Sequence, residues 1–131
     1  MIESDAAAVE ARVRAYYDAG VQAFRTDDPM GMRDYFDLPS MVLRKTETPL
    51  VCSTIEEVDA RWRTTIAGLP ADYDHSVCHS IQVQIINPAT AIATVSGSRY
   101  RANGEEIRRV DASYVLTKTS GDWKVAVSIP H

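Results

Sequence analysis

The order of the predicted elements is the feature of this chain that most constrains its fold. One long amphipathic helix comes first, and a short helix, a short hairpin and one further helix follow it. Four long strands fill the second half of the chain. Helices and strands that are segregated in this way are typical of the α+β class. We therefore predict a curved antiparallel sheet wrapped around the long N-terminal helix and two shorter helices, with a pocket at its open end.

The first helix is predicted from apolar residues that recur at three- and four-residue spacing, which places them on one face. They are Val9, Val13, Tyr16 or Tyr17, Val21 and Phe24. Ser4 or Asp5 is suited to cap the start of this helix, and residues 26–28 end it.

Two shorter elements follow the first helix. Asp28 caps a short helix that has Pro29 at its first position and ends near Phe36. Residues 41–44 and 50–52 then form a small hairpin.

A capping box opens the third helix, because Thr54 is followed three residues later by Glu57. The apolar stripe of this helix consists of Ile55, Val58, Trp62, Ile66 and Leu69. Residues 68–70, with the sequence Gly-Leu-Pro, end it.

The rest of the chain alternates between apolar and polar residues, as half-buried strands do. The predicted strands span residues 75–85, 91–102, 107–117 and 123–129. The Asn-Gly pair at residues 103–104 is the strongest hairpin signal in the chain, and the Ser-Gly pair at residues 120–121 predicts a second tight turn.

Two-residue turns at these positions would fix the register of both hairpins. They put Arg101 opposite Glu106 and Tyr114 opposite Val127. One face of the sheet is then nearly all apolar, so we expect the helices to cover it. This face collects Ala91, Ala93, Val95, Gly97, Val110, Ala112, Tyr114, Leu116, Trp123, Val125, Val127 and Ile129.

The opposite face of the sheet is small and flat in its middle. Its central residues are Thr94, Ser96, Ser98, Ser113, Ala126 and Ser128. Such a face is either solvated, as in many antiparallel sheets, or the surface on which two subunits stack. We favour a homodimer, because small side chains let two sheets approach closely and two-fold dimers are the commonest oligomers.

The apolar face is predicted to end in a polar rim. We expect the first long strand to pair with His79 near Gly97, which turns its histidines inward. The rim then consists of His75, His79, Arg99, Arg101, Arg108 and His131. An apolar wall below a few converging polar groups is typical of small-molecule sites. The predicted ligand-binding residues are Tyr17, Trp62, His79, Arg99, Arg108, Tyr114 and His131.

Each polar candidate also has a simpler structural interpretation. His79 is the candidate general base, since histidine titrates near neutral pH, but a hydrogen-bonded rim histidine is the commoner case. Arg99 and Arg108 face each other with like charge, so they either bind a ligand carboxylate or phosphate or meet acidic residues on the helices. His75 and His79 stand about 13 Å apart on a strand, too far to share an ion. We predict no metal and no cofactor.

Composition argues against several classes of partner. A chain of 131 residues predicts a single domain over residues 1–131. The net charge of -4 and the lack of a basic stripe argue against nucleic acid. No apolar run reaches the roughly 20 residues of a membrane span, so we expect no membrane partner. Cys52 and Cys78 are isolated, which predicts free thiols and a cytoplasmic protein.

Four segments of the chain resemble a known superfamily. They are residues 23–28 (AFRTDD), 35–39 (YFDLP), 93–97 (ATVSG) and 121–125 (GDWKV). Over essentially its whole length the chain resembles the nuclear-transport-factor-2-like superfamily, and it is most similar to bacterial members of unassigned function. The resemblance implies a cone-shaped α+β fold, shared by ketosteroid isomerases, SnoaL-like polyketide cyclases and limonene epoxide hydrolase. These segments specify a fold and not a chemistry.

The resemblance also implies that the catalytic sets of these enzymes are incomplete here. The tyrosine that ketosteroid isomerases place on the first helix corresponds to Gly20, and their aspartate base falls near Arg44. Limonene epoxide hydrolase uses an Arg-x-Asp run, whereas Arg99 is followed two residues later by Arg101. The register predicts that Asp111 points to the outer face.

Two hypotheses for function follow. In the first, the protein has a small-molecule pocket that binds or isomerises a small apolar ligand with a carbonyl or anionic group. In an enzymatic version, His79 transfers protons while Arg99, Arg108 or a tyrosine stabilises the developing oxyanion. In the second, the protein is a non-catalytic dimeric interaction module whose cavity is closed by its own side chains.

Overall fold

The computed structural model describes residues 2–119 and 121–131, and its helices follow the predicted caps closely. The helices are α1 (Ile2–Thr26), a 3-10 helix (Pro29–Tyr35) and α2 (Ile55–Ala67). The Asp28 carboxylate accepts a hydrogen bond of 3.0 Å from the Met30 amide, and the Thr54 hydroxyl accepts one of 3.2 Å from the Glu57 amide. Gly68 ends α2. The predicted N-caps of the 3-10 helix and α2 are thus confirmed.

The predicted start of α1 is wrong by a few residues. The helix begins at Ile2, so Ser4 and Asp5 lie within its first turn and do not cap it. Asp5 stabilises that turn through the helix dipole, as does Glu3. The predicted apolar face is correct for Val9, Val13, Tyr16 and Val21, all of which are buried.

The strands form a mixed sheet beside these helices, which confirms the α+β class. They are β1 (Phe36–Val42), β2 (Leu50–Cys52), β3 (His75–Asn87), β4 (Thr90–Tyr100), β5 (Glu106–Arg109), β6 (Ala112–Thr117) and β7 (Lys124–Pro130). Their order is β2-β1-β7-β6-β4-β3, and β5 pairs with the end of β4. The β1–β7 pair is parallel, so the sheet is not purely antiparallel as predicted.

The hairpin between β4 and β5 differs in detail from the prediction. Its loop has three residues, because the Arg101 amide donates to the Glu105 carbonyl at 2.9 Å and the Gly104 amide donates to the Arg101 carbonyl at 3.0 Å. Gly104 has a φ of 90°, which glycine adopts at little cost. Glu106 therefore lies opposite Tyr100 and not opposite Arg101. The predicted turn at residues 120–121 falls partly on a residue outside the described part of the chain.

A β-bulge in β3 reverses the predicted direction of its first side chains. Cys78 pairs with Gly97, but Ser80 pairs with Ser96, so His79 is an extra residue in the strand. An extra residue exchanges the faces on its two sides. Before the bulge, Ser76 and Cys78 therefore share the inner face with the apolar residues that follow it. The prediction that His79 points inward is wrong.

A second β-bulge, in β7, also exchanges the faces on which the side chains of its strand lie. Leu116 pairs with Val125 as predicted, but Val115 pairs with Val127, so the residue between the two valines of β7 is extra. Tyr114 consequently lies opposite Ser128 and not opposite Val127. Ser128 is buried with 5% of its surface exposed, which corrects the prediction that it lies on the outer face. The predicted inward position of Val127 is wrong for the same reason, whereas Ile129 lines the cavity as predicted.

The core lies between the helices and the inner face of the sheet. Its buried members include Val9, Val13, Tyr16, Met32, Phe36, Val58, Ala91, Ala93, Val95, Tyr114, Leu116, Trp123 and Val125. Among the helices of residues 2–119 and 121–131, none has both the length and the apolar character that a membrane span requires.

Replacing Trp123 by alanine should destabilise the protein by about 3–5 kcal/mol, because this side chain is 3% exposed and its loss leaves a cavity. Urea unfolding followed by circular dichroism measures the difference. Ile86→Ala is the matched control, since Ile86 is 49% exposed and its truncation should change stability by less than about 0.5 kcal/mol. A loss below about 1 kcal/mol for Trp123→Ala would contradict its placement in the core.

Candidate functional site

A cavity of about 710 Å³ lies between α1, α2 and the inner face of the sheet. This volume is within the range of about 300–1,000 Å³ that is usual for small-molecule sites. Its walls are mostly apolar and include Val21, Val42, Leu50, Cys52, Ala60, Ile66, Leu69, Val110, Ala112 and Pro130. Tyr17, Trp62, Arg99 and Tyr114, which the sequence predicts as ligand-binding residues, also line it.

Two tyrosine hydroxyls meet on the wall of this cavity. Tyr17 projects from α1 and Tyr114 from β6, and their hydroxyl oxygens are 2.8 Å apart. Burial raises the pKa of Tyr17, although the hydrogen bond with Tyr114 lowers it in part. Burial also raises the pKa of Tyr114. Both phenols are therefore neutral at physiological pH and serve as hydrogen-bond donors, not as bases.

Two other polar groups at the cavity lack partners. Ser128 lies directly opposite Tyr114 in the sheet, and its Oγ is buried without a hydrogen-bond partner among the described residues. The indole Nε1 of Trp62 is likewise buried and unpaired within residues 2–119 and 121–131. A buried polar group without a partner costs about 1–3 kcal/mol.

Arg99 brings a positive charge to the cavity from β4. Its side chain is half-buried, and its strand position lies opposite Ser76. Among the described residues, no carboxylate forms an ion pair or hydrogen bond with Arg99. Burial lowers the pKa of its guanidinium, and the like charge of Arg108 lowers it further. Arg99 is nevertheless charged at neutral pH, because the ordinary pKa of arginine lies far above neutrality.

The carboxylates beside the cavity are already engaged. The Glu57 carboxylate lies 3.3 Å from the Thr54 hydroxyl within the capping box. Asp111 accepts hydrogen bonds from Arg109 at 3.2 Å and from the Gly97 amide at 3.3 Å. Desolvation raises the pKa of Asp111, but these hydrogen bonds outweigh it and the net shift is downward. Asp111 is thus a stably ionised group and not a poised base.

His79 lies on the outer face of the sheet and does not line the cavity. Ser98 is 1% exposed, and its hydroxyl donates a hydrogen bond of 2.5 Å to Glu106. The same oxygen therefore accepts a hydrogen bond of 2.9 Å from His79 Nε2. The Tyr100 hydroxyl is 3.3 Å from the same nitrogen. The bulge at His79 causes this placement, and it rules out His79 as the general base of this cavity.

The residues of the predicted polar rim also do not lie together. Arg108 is exposed and does not line the cavity, and Arg101 forms an ion pair with Asp72. The ring of His131 lies 2.8 Å from the Ser113 hydroxyl on the outer face. Arg108 and His131, which the sequence predicts as ligand-binding residues, therefore do not line the cavity.

Several residues of the cavity were missed from the sequence. They include Arg61, Tyr73, Ser76 and Ser128. Arg61 lies over the rings of Phe36 and Trp62, with its guanidinium carbon 5.0 and 5.4 Å from their centroids. Arg61 could have been found from the helical spacing of α2, because it lies three residues after Val58 and therefore next to the predicted apolar stripe. No comparable signal marked the two serines, since they face inward only because of the bulges.

No metal site is apparent in the described part of the chain. Among residues 2–119 and 121–131, no group of three or more His, Cys, Asp or Glu side chains is arranged to hold an ion. His75 is instead 2.7 Å from the Asp74 carboxylate and stacks on Tyr100 with ring centroids 5.3 Å apart.

The chain belongs to the family described as NTF2-like protein (DUF6841), which matches residues 4–131. This membership confirms the superfamily that the four sequence segments suggest. No protein with a curated function is significantly similar to the chain.

Solved structures with the same fold come from several bacteria. A proposed dehydratase of the NTF2-like family from Streptomyces avermitilis is 15% identical, with a TM-score of 0.72 and coverage of 99% of this chain and 96% of its own. A protein of unknown function with a cystatin-like fold from Nostoc punctiforme is 8% identical, with a TM-score of 0.73 and coverage of 92% and 88%. At these identities the likeness shows the fold alone.

The tyrosine pair predicts how stability depends on alkaline pH. Because burial raises the pKa of Tyr17 and Tyr114, the folded state holds their protons more tightly than the unfolded state, whose tyrosines titrate near pH 10. Their contribution is fully present below about pH 10 and is lost as the pH rises above it. In urea unfolding from about pH 9 to 11, Tyr17→Phe/Tyr114→Phe should lose less stability than the wild type.

Tyr35→Phe is the matched control for this prediction. Tyr35 contacts the same aromatic cluster through Tyr16 but does not line the cavity. Parallel pH dependence in the wild type and the Tyr17→Phe/Tyr114→Phe variant would show that the pair is not buried as described.

Proposed function

We propose that this protein binds a small apolar molecule bearing a carbonyl or anionic oxygen in the cavity between α1, α2 and the sheet. The observation that carries the proposal is the hydroxyl pair of Tyr17 and Tyr114 in a mostly apolar cavity. One hydroxyl donates to the other, so the second hydrogen remains available for an acceptor oxygen. Burial keeps both phenols neutral and strengthens such a bond.

Residues around the tyrosine pair support the same proposal. Ser128, opposite Tyr114 on β7, and Trp62, on α2, line the same cavity. The apolar walls account for the rest of such a molecule, because burying apolar surface contributes about 25 cal/mol per Å².

Binding is better supported than isomerisation. An isomerase of this type needs a general base near its substrate, and His79 lies on the other side of the sheet. Glu57 and Asp111 are engaged in hydrogen bonds among the described residues. We therefore propose a binding function, in the cytoplasm, where Cys52 and Cys78 would stay as free thiols.

A second candidate function is a homodimeric interaction module that pairs through the outer face of the sheet. The bulge in β7 favours it, since it turns Val127 outward directly beside Val115. Thr94 is exposed on the same face, opposite Ser113. The prediction that Ser98 and Ser128 belong to this surface is wrong, because both are buried within the subunit. The open volume of the cavity does not support the closed interior of this hypothesis.

Native mass spectrometry after incubation with a mixed set of steroids, aromatic polyketides and fatty acids tests ligand binding. We expect the wild type to retain a compound with a carbonyl or carboxylate group. Tyr17→Phe/Tyr114→Phe should weaken binding of that compound about tenfold, since losing one buried hydrogen bond costs about 1.4 kcal/mol. Tyr35→Phe should leave affinity unchanged. Retention of no compound by a folded wild type would reject the proposal.

Sedimentation velocity tests the dimer. The wild type should sediment as a dimer, and Thr94→Arg should convert it to a monomer, because two like charges would meet across the two-fold axis. Met30→Arg, at a position in the 3-10 helix that is 57% exposed, should leave the dimer intact. A monomeric wild type, or a dimer that persists in Thr94→Arg, would exclude this surface.

A further inference from the structure

We infer that the ligand of the cavity carries a single carboxylate and that Arg99 recognises it. This inference rests on the proposed function and narrows it from a carbonyl or anionic ligand to an apolar monocarboxylate. The geometry points to Arg99 because its guanidinium lines the cavity and lacks a counter-ion among the described residues. Arg61 also lines the cavity without a carboxylate partner in the described part of the chain, but its guanidinium lies over the rings of Phe36 and Trp62.

The surroundings of Arg99 leave its charge uncompensated. Arg108 lies directly opposite it on β5, so the neighbouring charge is of the same sign. The nearest arginine along the chain, Arg101, already forms an ion pair with Asp72. Two like charges across a strand pair are unfavourable unless an anion neutralises them. Within residues 2–119 and 121–131 no such anion is present for Arg99.

The other carboxylates at the cavity cannot take this role. Glu57 is turned toward the start of α2 by the capping box. Asp111 is bound to Arg109, which also donates to Ser96 on the outer face. The cavity therefore has a net positive potential at the end where Arg99 lies. An apolar cavity with such an end selects an anion attached to an apolar body.

The chemistry of the wall favours one carboxylate over a phosphate. A guanidinium binds a carboxylate through two parallel hydrogen bonds, and one guanidinium neutralises one negative charge. A phosphate monoester carries close to two charges at neutral pH, and Arg108 does not line the cavity to supply a second positive charge. Tyr73 is a further polar group near Arg99. Its hydroxyl is 2.7 Å from the Ser76 hydroxyl, and it interacts electrostatically with the Arg99 guanidinium.

A matched pair of fluorescent probes tests the charge of the ligand. 8-Anilinonaphthalene-1-sulfonate and N-phenyl-1-naphthylamine share one aromatic skeleton, and only the first bears an anionic group. The wild type should bind the sulfonate about tenfold more tightly, because a charge-assisted hydrogen bond adds to the shared apolar contact. Arg99→Met should remove this preference and leave the affinity for the neutral amine within about twofold.

Two further variants make the result specific to Arg99. Arg108→Met removes the like charge opposite Arg99, which does not line the cavity, and should weaken sulfonate binding less than Arg99→Met does. Arg99→Lys keeps the charge but loses the two-pronged hydrogen bond, so it should fall between the wild type and Arg99→Met. Equal losses in Arg99→Met and Arg108→Met would show attraction to the general surface charge and would overturn the inference.

Displacement of the neutral probe tests the head group itself. Decanoate should displace N-phenyl-1-naphthylamine at about tenfold lower concentration than 1-decanol, and decyl phosphate should be no better than decanoate. A stronger effect of decyl phosphate, or equal effects of decanoate and 1-decanol, would overturn the assignment of a carboxylate. Binding of the neutral probe with no preference for anions would leave the proposed function standing, whereas binding of neither probe would count against both.

Discussion

The bulges in β3 and β7 decide which side chains reach the cavity. Each adds one residue to its strand, and a one-residue shift moves every later side chain to the other face of a sheet. In β3 the shift turns Ser76 inward and His79 outward. In β7 it turns Ser128 inward and Val127 outward. Without the two bulges, the cavity would hold a histidine and a valine in place of two serines, and its chemistry would be that of a different site.

A cluster of aromatic rings connects this sheet to the helices. Tyr16 is at its centre, and its ring lies 5.5–5.9 Å from those of Tyr17, Tyr35, Phe36, Trp62 and Tyr114. Most of these pairs meet edge to face, and each such pair adds about 0.5–1.5 kcal/mol beyond its buried area. The cluster thus fixes the rotamers of Tyr17 and Tyr114, so their hydroxyl pair is held in place by packing.

The fold was predictable from the sequence because it depends on periodicity and caps. The spacing in α1, the caps Asp28 and Thr54, and the alternation in β4 each act locally, and the structure confirms them. The site was predictable only where it depends on the same signals. Tyr17 and Trp62 were found because they lie on helices with a clear apolar stripe.

The polar part of the site was not predictable, because it depends on register. A bulge needs no sequence signal of its own, and neither His79 in β3 nor Ala126 in β7 departs from ordinary strand composition. Arg99 and Arg108 were correctly paired across their strands, yet the alternation of faces did not show which of the two reaches the cavity. Distinguishing them required the placement of β5 against β4.

The energetics of the cavity follow from this division between fold and site. Leu116, Trp123 and Val125 lie in a closely packed part of the core that stabilises the sheet at one end. At the other end an open volume and the guanidinium of Arg99, which has no counter-ion among the described residues, both reduce stability. A chain selected only for stability would fill such a volume with apolar side chains and would not keep Arg99 there. The cost is offset if an apolar body fills the space and an anionic group meets the guanidinium, so these unfavourable features favour the proposed ligand over an empty cavity.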